Sequence, residues 1–327
     1  MQENMATFAG LTRPSQAMNC IEGIAIRSTG SWYSIEHDGK QYECRTRGRI
    51  RLKGARTTNP IAIGDRVLFF LENENQGVIT EILPRRNYII RRATNLSKET
   101  HIIAANLDLA AVVVTLTAPP TLLAFIDRFL ATACAYRIPS VVLLAKQDLA
   151  TERNTADELN FEAVYATAGC SVLRISANSG QGITDLSTLL TGKTTLLAGH
   201  SGVGKSTLIN TLQPSLNLKT APLSSAYGLG QHTTTCSEMY SLSFAPNTRI
   251  IDTPGIKGFG VVDFAREEIA HFFPDIFSIS QHCRFGNCLH EHEPGCAVID
   301  ALDNGTLAPS RYDSYISLLH DDHEKYR

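Results

Sequence analysis

The sequence predicts an α/β protein in three parts: a small closed β-barrel, a mainly parallel sheet covered by helices, and a short helical module rich in Cys and His. Three observations predict it. Short alternating runs fill residues 20–92, apolar strands and helical spacings alternate from about residue 96, and three of the eight cysteines crowd into residues 283–296. Domain borders at 20–95, 96–270 and 271–327 follow, with residues 1–19 as a flexible N-terminus.

In the first part, "GIAIRST", "WYSIEHD", "KQYECRT", "GRIRLKG", "DRVLFFLEN" and "GVITEILPR" are set apart by Gly, Asn or Asp turns. Five or so strands with no helical period between them predict a barrel of the OB type. Charge is uneven: residues 1–95 carry 14 Lys+Arg against 9 Asp+Glu, and residues 271–327 carry 4 against 9. Arg45, Arg47, Arg49, Arg51 and Lys53 alternate, which puts them on one strand face. Five like charges repel one another, and Arg56, Arg66, Arg85, Arg86, Arg91 and Arg92 add to the excess. This basic face is read as binding a phosphate backbone, that of RNA. The aromatics Trp32, Tyr33, Tyr42, Phe69 and Phe70 are read mainly as core.

In the second part, "DLAAVVVTL", "PSVVLLAKQD", "AVYATAG", "SVLRISANSG", "EMYSLSF" and "TRIIDTPG" read as strands, and "FIDRFLATACAY" and "ITDLSTLLTG" as helices. That alternation predicts the covered parallel sheet. Within it "TTLLAGHSGVGKSTLINTL" is strand, loop, helix. The loop residues Gly199, His200, Ser201, Gly202, Val203, Gly204, Lys205, Ser206 and Thr207 form a P-loop whose glycines let N–H groups turn inward onto phosphates. Lys205 reaches the β/γ-phosphates and Ser206 ligates Mg²⁺.

Asp252, ending the strand of "IIDTPG", supplies the carboxylate for the Mg²⁺ shell, and Gly255 leaves room for its N–H at the γ-phosphate. The loop "GLGQHTTT" offers Thr234, with Thr233 close behind, as a further Mg²⁺ ligand. For the base, Asp148 in "LLAKQD" accepts N–H bonds from guanine N1 and N2, which adenine lacks. Ala145, Lys146 and Gln147, with Ser176, Ala177 and Asn178 of "ISANSG", complete the base set, Lys146 along the ring and the Ala177 N–H toward O6. All parts of a GTPase are present in permuted order, the base-reading half first. A sheet with neighbouring termini tolerates this, because its contacts survive.

In the third part, Cys283, Cys288, a histidine and Cys296 make a Cys₃His set suited to one structural Zn²⁺. His290 is the candidate fourth ligand, and its neighbours His282 and His292 compete for that position. The amphipathic run "SRYDSYISLLHDDHEK" follows.

"GHSGVGKSTLIN", "HTTT", "DTPGIKGFG" and "CRFGNCLHEHEPGCAV", in this order after an OB-like barrel, resemble the ribosome-small-subunit-dependent GTPase A family over nearly the whole chain. The resemblance implies a circularly permuted P-loop GTPase domain between an OB-type barrel and a zinc-binding module, with His290 as the fourth ligand. It implies GTP hydrolysis to GDP stimulated by the 30S subunit, and 16S rRNA as a partner. The alternative is an rRNA-binding assembly factor in which nucleotide is mainly structural. Ala145 stands where most GTPases have Asn, a loss of roughly 1–3 kcal/mol of bonding if uncompensated. Ile256 stands where Ras-like enzymes orient water with Gln, so His232 is the candidate for that task. Gly258 and Gly260 offer hinges by which the γ-phosphate loop would swing the zinc module.

The N-terminus shows no signal peptide and the longest apolar run is too short for a bilayer, so a cytoplasmic, non-membrane monomer is expected. No lid or phosphoacceptor signature supports a kinase. Replacing Arg47, Arg49 and Arg51 with Ser weakens 30S binding and flattens its log–log salt slope by about 0.9 for each phosphate no longer neutralised. An unchanged slope returns these residues to an ordinary solvated face.

Overall fold

The computed structural model describes residues 20–46, 60–92, 100–151, 155–220, 237–253 and 264–320. Strands β1 (Ile21–Thr29), β2 (Trp32–His37), β3 (Lys40–Thr46), β4 (Arg66–Leu71) and β5 (Gln76–Ile82) form the barrel. They pair in the order β1-β2-β3-β5-β4, and β4 returns to β1 to close it. Alternation turns Ala25, Tyr33, Ile35, Cys44, Val67, Phe69 and Ile79 inward. Closure depends on Gly23, where a Cβ would lie 2.4 Å from Ile35 Cγ2 and 2.9 Å from the Glu36 carbonyl oxygen.

The barrel's arginines are less free than their number implies. Arg85 donates to both carboxylate oxygens of the buried Asp65 at 2.6 Å. Arg66 pairs with Glu22, Arg86 with Asp108, and Arg45 with Glu72. Four of the cations counted toward a polyanion face thus have acidic partners. Arg47, Arg49, Arg51 and Lys53, and the run "GRIRLKG", lie outside the described residues.

The hairpin β6 (Tyr88–Arg92) and β7 (Thr100–Ala105) follows, running across residue 95. The central sheet comprises β8 (Leu109–Val114), β9 (Ser140–Leu144), β10 (Ser171–Arg174), β11 (Thr194–Ala198), β12 (Glu238–Ser241) and β13 (Arg249–Asp252). Its order is β10-β9-β8-β11-β13-β12, with β12 alone antiparallel. Helices α1 (Leu123–Ala135) and α2 (Thr155–Thr167) cover one face, over Val112, Val114, Phe129 and Tyr165. Helices α3 (Ile183–Leu190) and α4 (Lys205–Leu212) cover the other, over Val113, Leu197, Leu208 and Ile250. The run "AVYATAG", read as a strand, instead ends α2. Its buried residues Glu158, Phe161 and Tyr165 follow helical spacing, and Arg174 on β10 holds Glu158 and Glu162 one turn apart.

A single backbone pair, Arg27 with Glu238, joins β1 to β12 and makes barrel and central sheet one sheet of eleven strands. The C-terminal module, with α5 (Pro274–Ser280), α6 (Ala297–Asp303) and α7 (Pro309–Leu319), packs its core against Ala131 of α1. Arg311 of α7, only 2% exposed, donates to Asp127 of α1 at 2.6 Å and to both oxygens of Asp275 of α5 at 2.8 and 3.0 Å. Tyr165 also donates to Asp127. Gly258 and Gly260 lie outside the described residues, but a swing of the module away from α1 must break this buried hub. Arg311→Met leaves two desolvated carboxylates without a counter-charge, and unfolding stability falls by about 3–5 kcal/mol. The urea midpoint measures the loss, and adding Asp127→Asn and Asp275→Asn recovers part of it.

Candidate functional site

The P-loop turns between β11 and α4 at the centre of the sheet. Gly199 has φ 149°, and a Cβ there would lie 2.6 Å from the Val113 carbonyl oxygen of β8, so this position admits no side chain. Gly204 (φ 104°) precedes α4, whose first N–H groups form the phosphate end of the site. Lys205 is buried and its Nζ donates to the Gly199 and His200 carbonyls at 2.6 and 3.2 Å. Burial pushes its amine down from the usual lysine range, opposed by the charge of Asp252.

Asp252 ends β13 at 3% exposure, and its Oδ1 has no hydrogen-bond partner among the described residues. Burial pushes its carboxyl up, and Lys205 counters this. An orphaned carboxylate oxygen beside a phosphate loop is a donor that a hard divalent cation satisfies, so Ser206 and Asp252 fit Mg²⁺. Thr234, His232 and Gly255 lie outside the described residues.

The base end is an open crevice, about 380 Å³ with the open solvent in its mouth included, walled by Val113, Ala145, Ile175, Val203 and Leu208, with Lys146, Asp148 and Asn178 at its polar side. Lys146 takes the left-handed conformation (φ 62°), and its Nζ donates to the Ala118 carbonyl at 2.5 Å. Ser176 Oγ donates to Asp148 Oδ1 at 2.6 Å and Asn178 Nδ2 to Oδ2 at 2.9 Å, which together hold this carboxyl below its usual range. The Asp148 side chain is exposed. Gln147 turns its amide to Glu158 on α2. Sequence reasoning missed the apolar walls, since Val113 and Leu208 look like any core residue. It also missed the Phe125 ring, 3.9 Å between centroids from His200 of the P-loop.

In the C-terminal module, Cys283, Cys288, His290 and Cys296 bring their ligand atoms within 4.8 Å of one another and can hold a metal. His290 Nδ1 lies 3.4 Å from Cys296 Sγ and 3.6 Å from Cys283 Sγ. His282 and His292 are exposed and outside this cluster. His290 is left-handed (φ 60°), with its carbonyl held by Tyr312 Oη at 2.7 Å. Burial opposes the charge of Glu293, but the N–H groups of Leu289, His292 and Glu291 outweigh it and hold the carboxyl at about 2. The ligand loop is therefore braced by its own hydrogen bonds.

Two family models match this chain. The family model described as RsgA N-terminal domain matches residues 22–79, and that described as RsgA GTPase matches residues 82–262. A small ribosomal subunit biogenesis GTPase RsgA from Christiangramia forsetii is 49% identical over 311 residues, covering 94% of this chain and 98% of that protein. The protein of that name from Porphyromonas gingivalis strain ATCC 33277 is 50% identical over 312 residues, covering 94% and 99%. The crystal structure of YjeQ from Thermotoga maritima has a TM-score of 0.70 at 30% identity, over 91% of this chain and 96% of that one. YloQ, a circularly permuted GTPase, has a TM-score of 0.67 at 29% identity, over 94% and 96%. With its GTPase model spanning more than half the residues and relatives aligned nearly end to end, the chain belongs to the RsgA GTPase family.

Proposed function

We propose that this chain hydrolyses GTP to GDP as a late maturation factor of the small (30S) ribosomal subunit, and that the subunit accelerates the reaction. The observation that carries the reading is the Asp252 oxygen without a partner among the described residues, its carboxylate within the field of the buried Lys205, together with Asp148 in a pocket that Val203, Gly204 and Thr207 of the P-loop also line. The names of the relatives support the ribosomal partner.

On GTP binding, Lys205 exchanges its loop carbonyls for the β/γ-phosphates, and the N–H groups of residues 199–207 wrap the remaining oxygens. Ser206, Asp252 and Thr234 would hold Mg²⁺, which when bound neutralises charge on the phosphates. Asp148, held by Ser176 and Asn178, takes guanine N1–H and N2–H, while Lys146 lies along the ring and Ala145 and Ala177 line its edge. His232 orients the attacking water and Gly255 contacts the γ-phosphate. Cys283, Cys288, His290 and Cys296 would hold Zn²⁺ as a structural ion, the three thiolates and the imidazole supplying the four ligands of a closed site. The barrel docks on 16S rRNA through Arg45, Arg47, Arg49, Arg51 and Lys53. The protein acts as a cytoplasmic monomer. No helix among the described residues is long and apolar enough to cross a membrane.

Single-turnover GTP hydrolysis, with and without purified small subunits, tests this. The subunit accelerates the step by about ten-fold or more, equivalent to removing at least ~1.4 kcal/mol from the barrier. Equal rates would leave an RNA-binding factor whose nucleotide is structural. Asp148→Asn weakens GTP by about 1–3 kcal/mol and favours xanthosine triphosphate, whose O2 accepts from the new amide. Displacement of labelled GTP by ATP as readily as by GTP, in the unmodified protein, would overturn the base assignment.

A further inference from the structure

We propose that the barrel sets the position of the Asp252 carboxylate, with Arg27, Glu36 and Glu238 as positioning residues for the magnesium-dependent step. The inference rests on the nucleotide reading above and extends it to residues outside the nucleotide crevice.

Asp252 is the last residue of β13, a strand of four residues. Its antiparallel partner on β12 is Glu238. Directly opposed residues project from the same face of a sheet, and like charges so placed repel. Glu238 is held from both sides: Arg27 Nη1 of the barrel lies 3.9 Å from its Oε1, and within β12 Tyr240 Oη donates to its Oε2 at 3.2 Å. Arg27 is also the residue whose backbone pairs with Glu238, so the guanidinium and the strand junction act at one point.

The other end of the β12–β13 ribbon is tied as well. Ser241, the last residue of β12, stands opposite Arg249, the first of β13. Glu36 of the barrel strand β2 takes both: Arg249 Nη2 donates to its Oε1 at 2.9 Å and Ser241 Oγ to its Oε2 at 3.2 Å. The Arg249–Glu36 pair is largely screened from water, at 17% and 16% side-chain exposure, so it is stronger than a surface pair. Both ends of a ribbon only four residues long are thus fastened to barrel side chains. A tilt of the barrel moves the ribbon, and the ribbon moves the Asp252 carboxylate, whose Oδ1 has no hydrogen-bond partner among the described residues.

The test uses full-length protein and a fluorescent GDP analogue, titrated with Mg²⁺ and measured separately in EDTA. In Glu36→Gln and in Arg27→Gln, the Mg²⁺ concentration that half-tightens nucleotide rises about five-fold, the lower end of typical coupling between sites. Nucleotide affinity in EDTA stays at the unmodified value, and Arg27→Lys recovers the midpoint. Loss of stability alone would not separate the two conditions. Variant titrations that overlay the unmodified protein would overturn the inference. If Mg²⁺ fails to tighten nucleotide even in the unmodified protein, the assignment of Asp252 falls, and this inference falls with it.

Discussion

Two opposite charges, Lys205 and Asp252, sit beneath the P-loop with little access to water. Adjacent parallel strands deliver them: β11 leads into the loop that precedes Lys205, and Leu197 of β11 is paired with Asp252 of β13. Burying either charge alone costs several kcal/mol, and burying both is tolerable only where a ligand completes their bonding. Lys205 meanwhile borrows two carbonyls of its own loop, and one Asp252 oxygen borrows nothing. The strand register, the bare Gly199 against β8 and the start of α4 all follow from holding these two groups in place for a phosphate and a cation.

Permuting the chain leaves that arrangement intact because sheet neighbours, not chain order, create it. What changes is where the flanking parts attach. The barrel closes on the free edge of β12, and the C-terminal module settles on α1 through Arg311. Helix α1 also carries Phe125, stacked on His200 of the P-loop. The P-loop therefore touches the helix that anchors the module, only two residues from its ion pair. A free swing about the glycines after Asp252 would have to break bonds to a buried arginine. Motion of the module together with α1 leaves them whole, so the helix is the better route for coupling.

How much was legible in the sequence depended on how local each signal is. The P-loop, "LLAKQD", "ISANSG", "DTPG" and the Cys–His spacing are short motifs whose function is carried by adjacent residues. Their placement follows from the sheet order, and of "DTPG" only Asp252 and Thr253 lie among the described residues. The end of α2 was misread because its alternating small residues imitate period 2, while its true stripe of Glu158, Phe161 and Tyr165 reveals itself only against β10. The hairpin of β6 and β7 escaped notice because its pairing crosses an expected domain border. Arginine counts misled for a related reason. Glu22, Asp65, Glu72 and Asp108 lie 44, 20, 27 and 22 positions from the arginines they neutralise, and no local pattern reveals such pairs.

Ala145 shows how the site compensates for a missing group. Its methyl joins the apolar wall, and its N–H continues the sheet to the Val114 carbonyl at 2.8 Å. Bracing between the base loop and its neighbours falls to Lys146, tied to the Ala118 carbonyl, and to Thr211 of α4, which donates to the Ala177 carbonyl at 3.3 Å. On the proposed reading, selection of the base rests on Asp148, whose side chain is open to solvent. Each carboxylate oxygen has two lone pairs, so guanine can add N1–H and N2–H without displacing Ser176 or Asn178. Adenine would cover the same carboxylate while offering it no matching donors. The penalty for the wrong base thus arises at the moment of covering, and it is large because the two existing bonds prevent Asp148 from turning back to water.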